Sequence, residues 1–320
     1  MSSVLPATVR ICEVGPRDGL QNEARVLPTP VKLELVEALA ATGVAEIEVT
    51  SFVRPERIPA LADAEDLAAG LRDRPWRIAE MGAGAPGAVA LSALVPNPRG
   101  YERFADSGLD LAVVFLSATE SHNRANLNTG LAEARANACG VLDRARTEGR
   151  ATRASISTAF GCPYEGSVSE SRVIELLEEL LAAGADRVHL SDTLGVAEPI
   201  QVRRLSERAL AVGGVERIAL HLHDTYGAAL ANVLAGWQAG VAVFDGAIGG
   251  TGGCPYAPGA AGNLATEDLV HLFGRMGVES GVDLDALVAA GRFLENALGR
   301  TLPGRALRAL SAKTASEILP

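Results

Sequence analysis

Ala219-Leu220-His221-Leu222-His223-Asp224-Thr225-Tyr226-Gly227 closes an apolar run that starts at Ile218, and it reads as a buried strand ending in a polar loop. The strand is followed by an expected helix over residues 228–239 and another apolar run over 241–248. That strand–loop–helix–strand beat is the unit of a parallel sheet. Successive side chains of a strand point to opposite faces, so His221 and His223 emerge on the same side. Two imidazoles on one face form half of a metal site, or else two hydrogen-bonded histidines at a strand end.

Outward from this unit the beat repeats. Strands are expected at residues 9–14, 44–50, 88–95, 109–116, 152–160 and 187–191, each followed by a helical pattern. The helices are expected at 28–42, 61–71, 99–107, 131–148, 169–183 and 199–212, with a last one at 265–276. Thr29 is the expected N-cap and Gly43 the stop of the first. The turn-rich Gly82–Gly87 stretch leads into the third strand. Eight strand–helix units with short connections indicate an α/β fold of the (β/α)₈ TIM-barrel type rather than an open doubly wound sheet. The chain is expected to be one catalytic domain over 1–320. The barrel would span about residues 9–277, with a C-terminal helical extension at about 278–320. That extension holds one additional helix over 283–298 and a loosely ordered tail beyond Leu302.

With 48% hydrophobic and 21% charged residues in 320, the chain can bury a large core. Its 29 basic and 39 acidic residues give a net charge of -10, which argues against nucleic-acid or anionic-membrane partners. The four cysteines, Cys12, Cys139, Cys162 and Cys254, lack CxxC spacing, so a reducing cytoplasm fits better than a secreted disulfide framework. The first ten residues show no signal-peptide pattern and no apolar run approaches about 20 residues, so neither a secretory leader nor a membrane span is expected.

Function in a barrel gathers where strands end. Arg17 and Asp18 follow strand one, Glu48 ends strand two, Asp192 follows strand six, and the two histidines end strand seven. Asp18, His221, His223 and a neutral amide offer mixed oxygen and nitrogen ligands. Such a set favours Mg²⁺ or Mn²⁺, although His₂-carboxylate sets also take zinc. Asp18 is alternatively a helix cap. Arg17 is a fixed cation able to stabilise an enolate or carboxylate oxygen, or else a surface ion pair. Glu48 orients Arg17 and a ligand, or pairs structurally. The glycine-rich run 249–263 carries Cys254, Tyr256 and Asn263. It reads as a generic linker, as a phosphate cradle lacking its lysine, or as a mouth loop that closes and delivers a side chain. In the last case Cys254 would supply or accept a proton.

Four stretches together resemble the 3-hydroxy-3-methylglutaryl-CoA lyase family. They are EVGPRDGLQNE (13–23), GCPYEG (161–166), HLHDTYG (221–227) and GGTGGCPYAPGAAGNLATEDLV (249–270). The Arg-Asp pair and the HxH are shared more widely with isopropylmalate and homocitrate synthases, so a Claisen-condensing acyl-CoA transferase is the alternative. The resemblance implies a Mg²⁺- or Mn²⁺-dependent TIM barrel that cleaves an acyl-CoA substrate to acetyl-CoA and acetoacetate. It implies Asp18, His221, His223 and Asn263 as metal ligands, Arg17 as enolate stabiliser and Cys254 as a proton donor. Asp192 and Glu48 would support them, Gln21 and Arg17 would contact substrate, and the chain would be a homodimer. Two departures stand out: Ala24 and Arg25 follow the QNE run where a lysine is frequent, and Thr119 and His122 replace Ser and Phe. His122 would shape the acyl pocket.

Overall fold

All eight strands form, and they close on themselves. The computed structural model describes residues 5–72, 74, 89–253 and 262–316. The strands are β1 (Arg10–Glu13), β2 (Glu46–Ser51), β3 (Ala90–Leu94), β4 (Leu111–Ser117), β5 (Ala151–Ser157), β6 (Arg187–Asp192), β7 (Ile218–Leu222) and β8 (Val243–Gly246). Each pairs in parallel with the next, and β1 pairs with β8, giving a closed barrel in chain order. The surrounding helices are α1 (Thr29–Ala40), α2 (Ala64–Arg72), α3 (Pro98–Ser107), α4 (Glu120–Leu127), α5 (Leu131–Thr147), α6 (Glu170–Ala183), α7 (Pro199–Gly213), α8 (Ala229–Ala239) and α9 (Thr266–Arg275). Two more, α10 (Leu284–Leu298) and α11 (Arg305–Ser316), follow the barrel. None of the described helices is long and apolar enough to cross a membrane.

The apolar core is an annulus between strands and helices. Ile47, Val114, Ile156, Leu190, Leu220 and Phe244 point outward into it with helix residues such as Leu35, Leu142, Leu177, Leu205 and Phe273. The alternate strand positions face inward and are largely polar: Glu46, Glu48, Ser92, Arg153, Ser155, His189, Ser191, His221 and Asp245 are buried or half-buried. Period-two alternation thus sorts each strand into an apolar outer and a polar inner face.

Four expectations are corrected. The cap of α1 is Pro28, while the Thr29 hydroxyl donates to Asp63 Oδ2 at 2.7 Å. The loop after β4 holds a short helix, α4, fastened where the Asn123 amide donates to the carbonyls of Ser117 and Thr119, both at 2.7 Å. Strand β8 is only four residues long, because Ala247 leaves the barrel ladder to pair with the start of α9: its amide donates to the Leu264 carbonyl at 2.9 Å. The tail beyond Leu302 is not loose but forms α11. Its first amides, at Arg305 and Ala306, donate to the Asp268 carboxylate on α9, a cap supplied from 37 residues upstream and therefore invisible to a local reading. The Gly82–Gly87 turn lies outside the described residues.

The root of the loop after β8 is pinned by two buried acids. Glu13 accepts the amides of Gly15 (2.7 Å) and Ile248 (2.8 Å) and the Thr266 hydroxyl (2.6 Å). Glu267 accepts the Gly249 amide on both oxygens, at 2.8 and 3.0 Å. Burial pushes the Glu267 carboxyl from 4.5 up to about 8, with the Gly249 amide opposing and Glu13 and Asp268 adding to the rise. Burial likewise lifts Glu13 to about 7. Between 4.5 and those values the native chain holds protons that the unfolded chain has released, so the stability these two acids contribute is full below about pH 4.5 and is lost as pH rises toward 8. Thermal unfolding followed from pH 5 to 8.5 should show that decline. Glu267→Gln, which keeps an acceptor for Gly249, should remove the Glu267 share of that decline, which runs from about 4.5 to about 8.

Candidate metal centre at the barrel mouth

The loop after β1 turns sharply through Gly15–Gly19, a single wide helical turn started by Pro16. Gly19 is required there by close approach: a Cβ would lie 2.2 Å from Thr251 Oγ1. The turn aims Arg17 and Asp18 at the strand ends of β2 and β7. Arg17 Nε donates to Glu48 Oε1 at 2.5 Å, and its Nη1 donates to Asp18 Oδ1 at 2.6 Å. Across the mouth, Asp18 Oδ2 accepts the Asn263 amide at 2.8 Å, and that same amide donates to the Thr251 carbonyl at 3.1 Å. Asn263 is placed by backbone pairing, since Asp224 N donates to Gly262 O (2.8 Å) and Leu264 N to Leu222 O (3.1 Å). Gly252 allows this closeness: its φ is +97°, and a Cβ would sit 2.6 Å from Asn263 Nδ2.

Asp18, His221 and His223 each present a ligand atom, all within 4.8 Å of one another. The two imidazole centroids are 5.2 Å apart. Asn263 Oδ1 and His223 Nδ1 are buried and lack a hydrogen-bond partner among the described residues. A buried acceptor and a bare ring nitrogen beside an ionised carboxylate suit a divalent cation, so the residues present fit a metal ion. Burial alone would raise the Asp18 carboxyl, but Arg17, both histidines and the Asn263 amide pull it down to about 2. Burial, with His221 and Arg17 adding, depresses His223 to about 3, which keeps it a neutral ligand.

The other expected site residues fall into three groups. Arg17, Gln21, Glu48 and His122 line a cavity of about 920 Å³ that opens from the metal cluster, a size suited to an extended small-molecule ligand. His122 is buried on α4, its Nδ1 2.6 Å from Ser117 Oγ, and burial lowers its pKa toward the neutral form. Asp192 stands apart from the cavity: its carboxylate accepts the amides of Val196 (3.0 Å) and Ala197 (2.9 Å), and its carbonyl accepts the His223 amide at 3.2 Å. Its visible work is therefore to shape the loops under His223. Cys254 lies outside the described residues. The glycine loop that carries it leaves the mouth at Gly253, which lines the cavity.

Beneath the metal cluster lies a polar layer of which only Glu48 was singled out from the sequence. Arg153 Nη1 donates to Glu46 at 2.7 Å, its Nη2 pairs with Glu48, and Arg187 reaches Glu46 at 3.4 Å. Asp245 sits beside His189 and His221. The signal was present as period-two alternation, in Arg153-Ala154-Ser155 and Arg187-Val188-His189, of polar residues with the apolar positions of the annulus.

The HMGL-like family model matches residues 8–294. The hydroxymethylglutaryl-CoA lyase YngG of Bacillus subtilis is 46% identical over 303 residues, 95% of this chain and 97% of that protein. A 3-hydroxy-3-isohexenylglutaryl-CoA/hydroxymethylglutaryl-CoA lyase of Pseudomonas aeruginosa is 41% identical, covering 97% of this chain and 99% of its own. The crystal structure of hydroxymethylglutaryl-CoA lyase from Pseudomonas aeruginosa superposes with a TM-score of 0.90 at 41% identity, over 97% of this chain and 99% of that one. A full-length match in sequence, joined to the same barrel, shows that this chain belongs to the HMGL-like family.

Proposed function

We propose that the chain is a divalent-metal-dependent carbon–carbon lyase that cleaves 3-hydroxy-3-methylglutaryl-CoA, or a close 3-substituted analogue, to acetyl-CoA and a 3-keto acid. The observation that carries this reading is the convergence of Asp18, His221 and His223, with an Asn263 oxygen that has no partner among the described residues, next to Arg17 at the head of the cavity. The full-length relatives named as lyases favour it over the condensing transferase.

The reaction breaks the bond between the tertiary carbinol carbon and the carbon alpha to the thioester. The hydroxyl gives up its proton and becomes a ketone, the electron pair passes to the thioester as an enolate, and one proton returns to the alpha carbon. When bound by Asp18, His221, His223 and Asn263, Mg²⁺ or Mn²⁺ supplies a Lewis acid that polarises the substrate's oxygens. Arg17, held by Glu48 and Asp18, presents a fixed positive charge to the developing enolate oxygen. Gln21 and His122, which line the cavity, contact the acyl portion. Cys254, on the loop rooted at Gly253, would return the proton to carbon. Asp192 contributes by holding the loops beneath His223. The three free cysteines among the described residues support a reducing cytoplasm as the place of action.

Incubation of purified protein with the methylglutaryl thioester and Mn²⁺ should release acetyl-CoA and acetoacetate in equal amounts. A panel that varies only the group on the tertiary carbon then defines the acyl pocket. No acetyl-CoA from any member of the panel would overturn the reading.

A further inference from the structure

Asp245 has no place in the chemistry above, yet it stands at the centre of the buried layer under the metal cluster. It is 5% exposed, at the inward face of β8. Strands β6, β7 and β8 are adjacent, and Leu190, Leu220 and Phe244 are in register on their outer faces. Their successors Ser191, His221 and Asp245 therefore face inward at one level. One level below, the small or compact side chains of Ala219 and Val243 line the barrel floor with Cys12 and leave His189 room to reach up. Both imidazoles then converge on one oxygen: Asp245 Oδ2 is 3.0 Å from His189 Nδ1 and 3.1 Å from His221 Nδ1.

The same carboxylate, with Cys12 and His189, also forms a group close enough to hold an ion. The surrounding charges argue against one. Arg187 Nη1 lies 3.9 Å from Cys12 Sγ and Arg153 Nη1 lies 4.0 Å from Asp245 Oδ1, so fixed guanidinium groups already occupy the place of a cation. What remains for Asp245 is to accept hydrogen from the two rings.

We infer that Asp245 is a positioning residue for the metal centre: by accepting the Nδ1 hydrogen of His221 it fixes that ring's rotation and leaves Nε2 bare toward Asp18 and His223. A carboxylate behind a metal-binding imidazole both orients the ring and makes it a better donor. His189 competes for the same oxygen and holds the carboxylate in place from below.

This inference rests on the proposed metal centre, and the test separates the two. Mn²⁺ binding is measured by the electron paramagnetic resonance of the free ion, with native protein and Asp245→Asn titrated side by side and circular dichroism reporting the fold. The variant should keep the native spectrum and bind Mn²⁺ about 10–100-fold more weakly, the usual effect of removing such a partner. A purely structural role would change the spectrum or the melting temperature and leave the affinity of the folded fraction alone. Native binding with equal affinity in a folded variant overturns the role of Asp245 and leaves the metal centre standing. Failure of the native protein to take up Mn²⁺ overturns both. Should the variant not fold, nitrogen-15 histidine spectra of the native protein loaded with Mg²⁺ decide the matter: the inference requires hydrogen on Nδ1 of His221 and none on Nε2, and the reverse tautomer sinks it.

Discussion

Turnover by Arg17→Gln should fall by about 10²–10³-fold, equivalent to about 3–4 kcal/mol of transition-state stabilisation, while the KM for the thioester changes far less. The magnitude is that of removing one preorganised donor from a developing oxyanion. Arg17 qualifies as preorganised because two carboxylates hold it from different sides, Glu48 at Nε and Asp18 at Nη1. A glutamine is shorter and uncharged and cannot span both. Arg17→Lys should rescue little, since a point charge cannot reproduce the planar fork that faces two acids at once. Steady-state kinetics check this, with Mn²⁺ content measured alongside because Asp18 serves both the guanidinium and the metal cluster. If kcat holds while KM rises steeply, Arg17 is a ground-state binding contact and the enolate belongs to another group.

The reason Arg17 was visible in sequence and Arg153 was not is instructive. Arg17 lies in a short run, GPRDG, where each residue has a local task. Pro16 starts the turn, Gly19 admits Thr251, and Arg17 and Asp18 are left as the charged side chains of that run. Asp18, His221, His223 and Asn263 share this property, being polar residues in runs too apolar or too glycine-rich to explain them. Their meeting within one small space was nonetheless a property of barrel closure, which brings β1 beside β8 and the loop after β8 back over both. The (β/α)₈ count was legible because the helices are separated by short apolar strands. Helix α11 was not, because its cap is Asp268, far away in sequence. Helix α4 was hidden for a related reason: Asn123 secures it through hydrogen bonds that a pattern of apolar residues does not encode. Asp192 was expected, from its place at a strand end, to support the site, and its carboxylate accepts the backbone amides of the following loop.

Arg153→Met should destabilise the fold by about 3–5 kcal/mol, the range expected when one partner of a buried ion pair is removed and the other stays behind. Arg153 is 2% exposed and serves Glu46 and Glu48, both themselves buried. After the substitution Glu46 keeps Arg187 at 3.4 Å and Glu48 keeps Arg17 at 2.5 Å, but each acid has lost its central countercharge. Urea denaturation would read the change as a lower midpoint with an unchanged slope. Adding Glu46→Leu should return much of the lost stability, because the penalty lies in the charge left unpaired rather than in the missing pair. A midpoint within the equivalent of about 0.5 kcal/mol of the parent, as for an ordinary surface change, would mean that Arg187 and Arg17 alone neutralise the layer. The consequence for chemistry runs through Glu48. Relieved of Arg153, it would answer to Arg17 only, and the guanidinium would lose part of the framework that fixes its direction. The variant should therefore lose turnover as well as stability, and Glu46→Leu should restore the second more fully than the first.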